Sequence, residues 1–165
     1  MASRKQPAML SEGAQAPEFD LSDLNGARHT RAEISDGKRA LLAFYKVSCP
    51  TCQFTLPFLD RIYRGRANQD IAMYAISQDD AESTRDFDRY FALTLPTLLD
   101  LEEEGYPASN AYGISHVPSL FLVEPNGRIS LAIAGFDKKG MEELGRRFGR
   151  EPFEPGESVP DWKAG

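Results

Sequence analysis

Between Arg39 and Val47 the chain reads RALLAFYKV, a continuous apolar run with polar flanks, and this predicts a strand covered on both faces. The period of the apolar positions then changes. Phe54, Phe58, Leu59, Ile62 and Tyr63 recur at helical spacing, which predicts a helix ending near Gly65 with Pro57 kinking it from inside. DIAMYAIS, over residues 70–77, predicts a second strand. In the next segment, QDDAESTRDFDRYFAL, Phe87, Tyr90 and Phe91 fall on one face of a helix that Asp79 or Asp80 caps. PTLLD predicts a short strand, and residues 101–113, interrupted by Gly105 and Pro107, a short irregular helix.

Upstream of the first long strand, short alternating runs around Phe19, Leu21 and Leu24 are broken by Asn25-Gly26, the signature of a hairpin turn, and Glu33 to Lys38 reads as a polar link. Near the other end, PSLFLVEP and RISLAIAG flank Asn126-Gly127 and predict a second hairpin, followed by a helix from about Lys138 to Phe148. Strand-helix alternation implies parallel crossovers, whereas the closing hairpin implies antiparallel pairing. The expected class is α/β: a mixed central sheet flanked by helices, with an N-terminal β-hairpin. Residues 1–12 lack apolar periodicity and are expected as a flexible lead, residues 13–149 as one domain. The proline- and acid-rich residues 150–165, which hold the only tryptophan, Trp162, are expected as a disordered tail, with Trp162 folding back on the domain or docking on a partner as the alternative.

A chain of 165 residues can bury a core without covalent staples, so its two cysteines are not needed as a scaffold. The formal charge of −6, without a basic stripe, argues against nucleic acid and against an anionic membrane surface. No run approaches the ~20 apolar residues of a membrane helix, and Arg4 and Lys5 are not followed by the apolar stretch of a signal peptide. The reading is therefore cytoplasmic. In such a compartment a Cys-x-x-Cys pair is catalytic or metal-binding rather than a static disulfide.

That pair is Cys49-Pro50-Thr51-Cys52. If Cys49 sits where the buried strand ends and Pro50 opens the helix, its sulfur faces unsatisfied N–H groups and the positive end of the helix dipole. Such a position lowers a thiol pKa from ~8.5 into a range of roughly 3.5 to 7.5, which makes Cys49 the nucleophile. Cys52, one turn later on the same face and deeper, suits a resolving thiol. Zinc is the rival, but a structural site wants four ligands and only His29 and His116 remain, singly placed. Two inert buried cysteines are a further alternative. The intervening proline and the preceding strand favour redox chemistry. Val117-Pro118 stands before an apolar strand: a cis bond there would bring Val117 close to Cys49, while an ordinary trans proline would simply begin an edge strand.

From these residues the chain resembles the thioredoxin superfamily, and within it the TlpA/ResA-like thiol-disulfide oxidoreductases that border on the peroxiredoxins. The resemblance runs from about Gly13 to Phe148. CPTCQFTLPFLDRIY resembles the family's active-site helix, YAISQDDAESTRDFDRYFALTLPTLLD its inserted helix-strand unit, and AYGISHVPSLFLVEPNGRI its cis-proline loop and closing hairpin. The resemblance implies a thioredoxin-like fold with an inserted αβ unit, a cis bond before Pro118, and a Val117 backbone that pairs with an extended substrate. It implies further that Pro118 keeps metal off the thiols and that Gly135 leaves room for a partner. Neither cofactor nor metal is expected. The implied partners are protein disulfides or dithiols and a thiol reductant, with the chain itself a monomer or weak dimer. Lys46, Pro50 and His116 are candidate accessory residues.

The chain departs from this pattern where proton transfer is concerned. Ala43 stands where thioredoxins carry a buried acid, and Thr55 where many TlpA/ResA-like proteins carry a glutamate; Ser48 replaces the usual tryptophan. Water, the Cys49 thiolate, Lys46 or His116 are left to take the proton from Cys52. Glu102 to Glu104 and Asp79-Asp80 read as solvated surface and cap positions. Two other functions compete. Peroxide reduction, an antioxidant role, lacks the proline and threonine expected upstream of a peroxidatic cysteine and the arginine before VPSLFLV. Copper carriage on the two thiols and His116 would suit a longer gap between the cysteines.

Overall fold

The computed structural model describes residues 8–67 and 70–165. In chain order it contains β1 (Asp20–Asp23), β2 (Arg28–Thr30), α1 (Arg31–Ser35), β3 (Arg39–Tyr45) and α2 (Pro50–Gly65). After these come β4 (Ile71–Ser77), α3 (Ala81–Tyr90), β5 (Thr97–Leu99), a 3-10 turn (Glu102–Glu104) and α4 (Pro107–Ala111). The remainder is β6 (Ser119–Val123), β7 (Ile129–Ala134), β8 (Phe136–Asp137), α5 (Lys138–Phe148) and β9 (Trp162–Lys163).

The unbroken apolar run of β3 makes it the middle strand. It pairs in parallel with β4, from Arg39↔Ile71 to Tyr45↔Ser77, and antiparallel with β6, from Ala40↔Val123 to Phe44↔Ser119. Seven strands lie in the order β2-β1-β5-β4-β3-β6-β7, parallel through β3, β4 and β5 and antiparallel at both flanks. This is the mixed sheet that the alternation of elements predicts. Its core is strongly aromatic: Phe44 lies 5.4 Å from Tyr112 and 5.9 Å from Phe121, ring centre to ring centre. Tyr45 donates to Asp88 on α3 (3.2 Å), and Thr97 on β5 donates to the same carboxyl (3.1 Å), so one half-buried acid ties the inserted helix to two strands.

Several expectations change. The supposed polar link holds α1, whose Thr30 and Glu33 form a reciprocal capping box; the T-x-x-E signal lies in the sequence and is followed by only one helical turn. Asp80, not Asp79, caps α3, accepting from Ser83 N at 2.8 Å. Helix α2 holds Pro57 inside it and ends at Gly65, as the apolar spacing predicts. The irregular helix splits in two, because Gly105 (φ 81°) and Tyr106 (φ 50°) take left-handed backbone and Pro107 then starts α4.

Both ends are more engaged than their composition suggests. Of the expected flexible lead, residues 1–7 lie outside the described residues. Residues 8–12 do not hang free: Met9 and Leu10 pack on the core, and Leu10 N donates to Tyr112 O at 3.2 Å. The expected disordered tail is corrected too. Pro152 is buried, Phe153 packs against Phe58 and Phe136, and β9 pairs with β8, so a few apolar and backbone contacts hold a segment that has no period of its own.

Candidate active site

Strand β3 delivers the chain to a tight turn at Lys46–Ser48. Val47 N donates to Asp79 Oδ2 (2.8 Å), Val47 O accepts from Gln53 Nε2 (2.9 Å), and Cys49 N donates to Lys46 O (3.3 Å). These bonds fix Cys49 as the N-cap of α2, with Pro50 as the first helical residue. The Cys49 sulfur accepts from Cys52 N at 3.1 Å, satisfying one of the orphan donors of the helix start. As a thiol it also reaches Val117 O, 3.4 Å away. Negative charge on this sulfur meets both an N–H and the positive end of a sixteen-residue helix. Cys49 is partly exposed and Cys52 buried, both as free thiols.

Burial pushes the Cys52 thiol well above the ordinary range, and the hydrogen bond and charge of Cys49 push it further, against a smaller opposing effect of the Lys46 backbone N–H. The folded reduced protein therefore keeps a proton that the unfolded chain releases near ~8.5. Stability on this account is full below that pH and is lost as pH rises above it, by about 1.4 kcal/mol per pH unit. Tyr45 and Tyr112, raised by burial in the same way, add to the loss above about pH 10. Urea midpoints of the reduced protein between about pH 8 and pH 10 are expected to fall more steeply than those of Cys52→Ala, which keeps both tyrosines; equal slopes would contradict the buried-thiol account.

The other residues singled out in the sequence gather here. A cleft of about 490 Å³ is lined by Cys49, Pro50, Lys46, His116 and Val117, with Gln78, Ser109 and Asn110 opposite. The Val117-Pro118 bond is cis. His116 is exposed; its ring meets Ser115 Oγ at 3.0 Å and its carbonyl accepts from Ser119 Oγ. Lys46 and Ser48 are exposed as well. Ala43 is buried, and the hydroxyl of the buried Thr55 is spent on Thr51 O (2.7 Å), so neither position supplies a base. His29 stands apart on the edge hairpin, bonded to Asp23 (2.8 Å), and no three His, Cys, Asp or Glu side chains among the described residues gather as metal ligands.

Three features of the site escape the sequence reading. Asp79 is a tie on the cysteine turn rather than a solvated surface acid; its only sequence signal is its place just after a strand that pairs with the one before Cys49. Gln78 Nε2 donates to Ser109 Oγ (2.7 Å), while Asp100 accepts from Ala108 N and Ser109 N, which sets α4 as the far wall. Finally, Thr51 Oγ1 donates to Ala164 O at 2.6 Å, a contact across 113 positions that no local pattern announces.

With this geometry in view, the comparisons with known proteins agree among themselves. The thiol-disulfide oxidoreductase ResA of Halalkalibacterium halodurans is 31% identical over 140 residues, covering 83% of this chain and 77% of that protein. ResA of Geobacillus thermodenitrificans is 30% identical over 127 residues, covering 76% and 71%. Among solved structures, the thioredoxin domain of a thiol-disulfide oxidoreductase from Bacteroides vulgatus superposes with a TM-score of 0.73 at 21% identity, covering 84% of this chain and 98% of that one; this likeness bears on the fold. The model of the AhpC/TSA family matches residues 13–132, from ahead of β1 to within β7. A thioredoxin-like fold, a Cys-x-x-Cys pair at the start of its helix and these matches give one conclusion: the chain belongs to the AhpC/TSA family and resembles its ResA-like thiol-disulfide oxidoreductases.

Proposed function

We propose that the chain exchanges thiols with protein disulfides through the Cys49–Cys52 dithiol. The observation that carries the reading is the placement of the two sulfurs: Cys49 partly exposed at the N-cap of α2 and facing Val117 O, Cys52 buried directly behind it. The Cys49 thiolate attacks one sulfur of a substrate disulfide, forming a mixed disulfide and expelling the other sulfur as a thiolate, which takes up a proton. Cys52 then attacks the Cys49 sulfur, closing the intramolecular disulfide and releasing the second substrate thiol. Each turnover thus moves two electrons and two protons to the substrate, and an external thiol reductant restores the dithiol.

Once Cys49 is in the mixed disulfide it carries no charge, so its hold on the Cys52 proton is gone, and burial with a smaller effect of the Asp79 charge still opposes ionisation. The second step is thereby eased after the first. Val117, held by its cis bond to Pro118, lines the wall along which the substrate backbone approaches; Lys46 and His116 are exposed groups lining the same cleft. A reducing, cytoplasm-like compartment suits a dithiol that acts as reductant. The test is thiol-dependent reduction of a peptide disulfide, run beside peroxide consumption, with Cys49→Ser and Cys52→Ser as controls. Disulfide turnover that needs both cysteines is expected; peroxide turnover at a higher rate would replace this reading with a peroxidase.

A further inference from the structure

We propose that residues 161–165 form an intramolecular strand that occupies the approach to Cys49, so that an extended disulfide substrate binds by displacing it. The proposal rests on the reading of the cleft as a protein-disulfide site. The path of the segment carries it. Lys138 N donates to Asp161 O (2.9 Å), and the antiparallel pairs Asp137↔Trp162 and Phe136↔Lys163 follow. Gly135, at φ 73°, lets the strand close in: a Cβ there would lie 2.5 Å from Lys163 O. Ala164 O then takes the hydroxyl hydrogen of Thr51, the residue between Pro50 and Cys52. A Cβ built on Gly165 would stand 2.3 Å from Val117 O, the same carbonyl that faces the Cys49 sulfur. The extended backbone therefore runs past the start of α2 and lies against the carbonyl along which an extended peptide disulfide, unlike a small one, must lay its backbone to reach Cys49.

The way the segment is held suits exchange. Its upstream tether is firm: Pro152 O accepts from Arg61, Glu157 pairs with the same guanidinium, and Phe153 meets Phe58 edge to face with ring centres 5.0 Å apart. The strand itself is light. Trp162 is 61% exposed, Asp161, Ala164 and Gly165 are exposed, and Lys163 lays its ammonium 5.2 Å from the centre of the Phe54 ring. No side chain of this stretch enters the core. A weakly held strand on a short, anchored tether is always present at high effective concentration, which is enough to fill a groove and not enough to lock it. Its contacts are mainly backbone pairing, the mode by which an added peptide strand docks on a sheet edge.

Lys163→Pro in the full chain removes the backbone N–H of the residue paired with Phe136, and Lys163→Ala is the milder second variant. The probes are a peptide of about ten residues joined by a disulfide to an aromatic thiol, hydroxyethyl disulfide as the small substrate, and a bulky maleimide for Cys49. Displacement predicts a KM for the peptide about tenfold lower in Lys163→Pro, with kcat and hydroxyethyl disulfide turnover unchanged and faster maleimide labelling, because the open fraction sets the apparent affinity. A synthetic peptide of residues 159–165 is expected to restore the higher KM. An unchanged or raised KM for the peptide, with hydroxyethyl disulfide turnover intact, overturns the strand as a competitor. Failure of the reading itself looks different: both forms would turn over hydroxyethyl disulfide and neither the peptide disulfide.

Discussion

Cys52→Ser is expected to stop exchange halfway, accumulating a covalent adduct on Cys49 in proportion to protein, whereas Cys49→Ser forms no adduct and loses turnover to background. The asymmetry follows from position. Cys49 is partly exposed beside Val117 O at the mouth of the cleft, and Cys52, fully buried, has no path to a substrate except through the Cys49 sulfur. Mass spectrometry of unreduced samples after mixing with a peptide disulfide reads both variants directly. Adduct on Cys52 in the Cys49→Ser protein would reverse the assignment of the two thiols. In the wild type, the lifetime of the mixed disulfide is expected to shorten as pH rises, because the buried Cys52 must ionise before it can attack.

The largest expected loss of stability comes from Phe44→Ala, about 3–5 kcal/mol, measured as a lower urea midpoint. Phe44 is fully buried on the central strand, with Ile76 beside it on β4 and Ser119 on β6. Its ring meets Tyr112 from the loop after α4 and Phe121 from β6, themselves 5.2 Å apart, so truncation opens a cavity on one side of a three-ring cluster. The effect reaches the site, since β3 runs on directly into the turn bearing Cys49. A loss below about 1 kcal/mol would mean that the neighbouring rings close the space, and the core would then be far more plastic than its packing implies.

Much of this architecture is legible in one dimension because its causes are local. A continuous apolar run makes a strand covered on both faces, helical spacing after it makes α2, and the three-residue step from Cys49 to Cys52 puts both sulfurs at the start of that helix. Thr30 and Glu33 likewise announce α1, a signal outweighed by the polarity of the residues around it. Asp60 is intermediate: an acid on the buried face of α2 signals a buried partner, and the structure supplies Thr94 N (2.7 Å) and Leu95 N (2.9 Å), thirty-four and thirty-five positions away. Pattern could have raised the question there, but not answered it.

The sequence by itself determined the long strands and helices, their order and the chemical identity of the dithiol, because backbone propensity, apolar period and cysteine spacing act over a few residues at a time. Only the tertiary structure decided which groups meet that dithiol. Asp79 reaches Val47 because β4 lies beside β3, Val117 O reaches Cys49 because β6 lies on the other side, and Ala164 reaches Thr51 because the residues before it are pinned along α2 and β8. Each of these contacts depends on where whole elements are packed, and a segment as polar as residues 150–165 carries no period from which its resting place could be read.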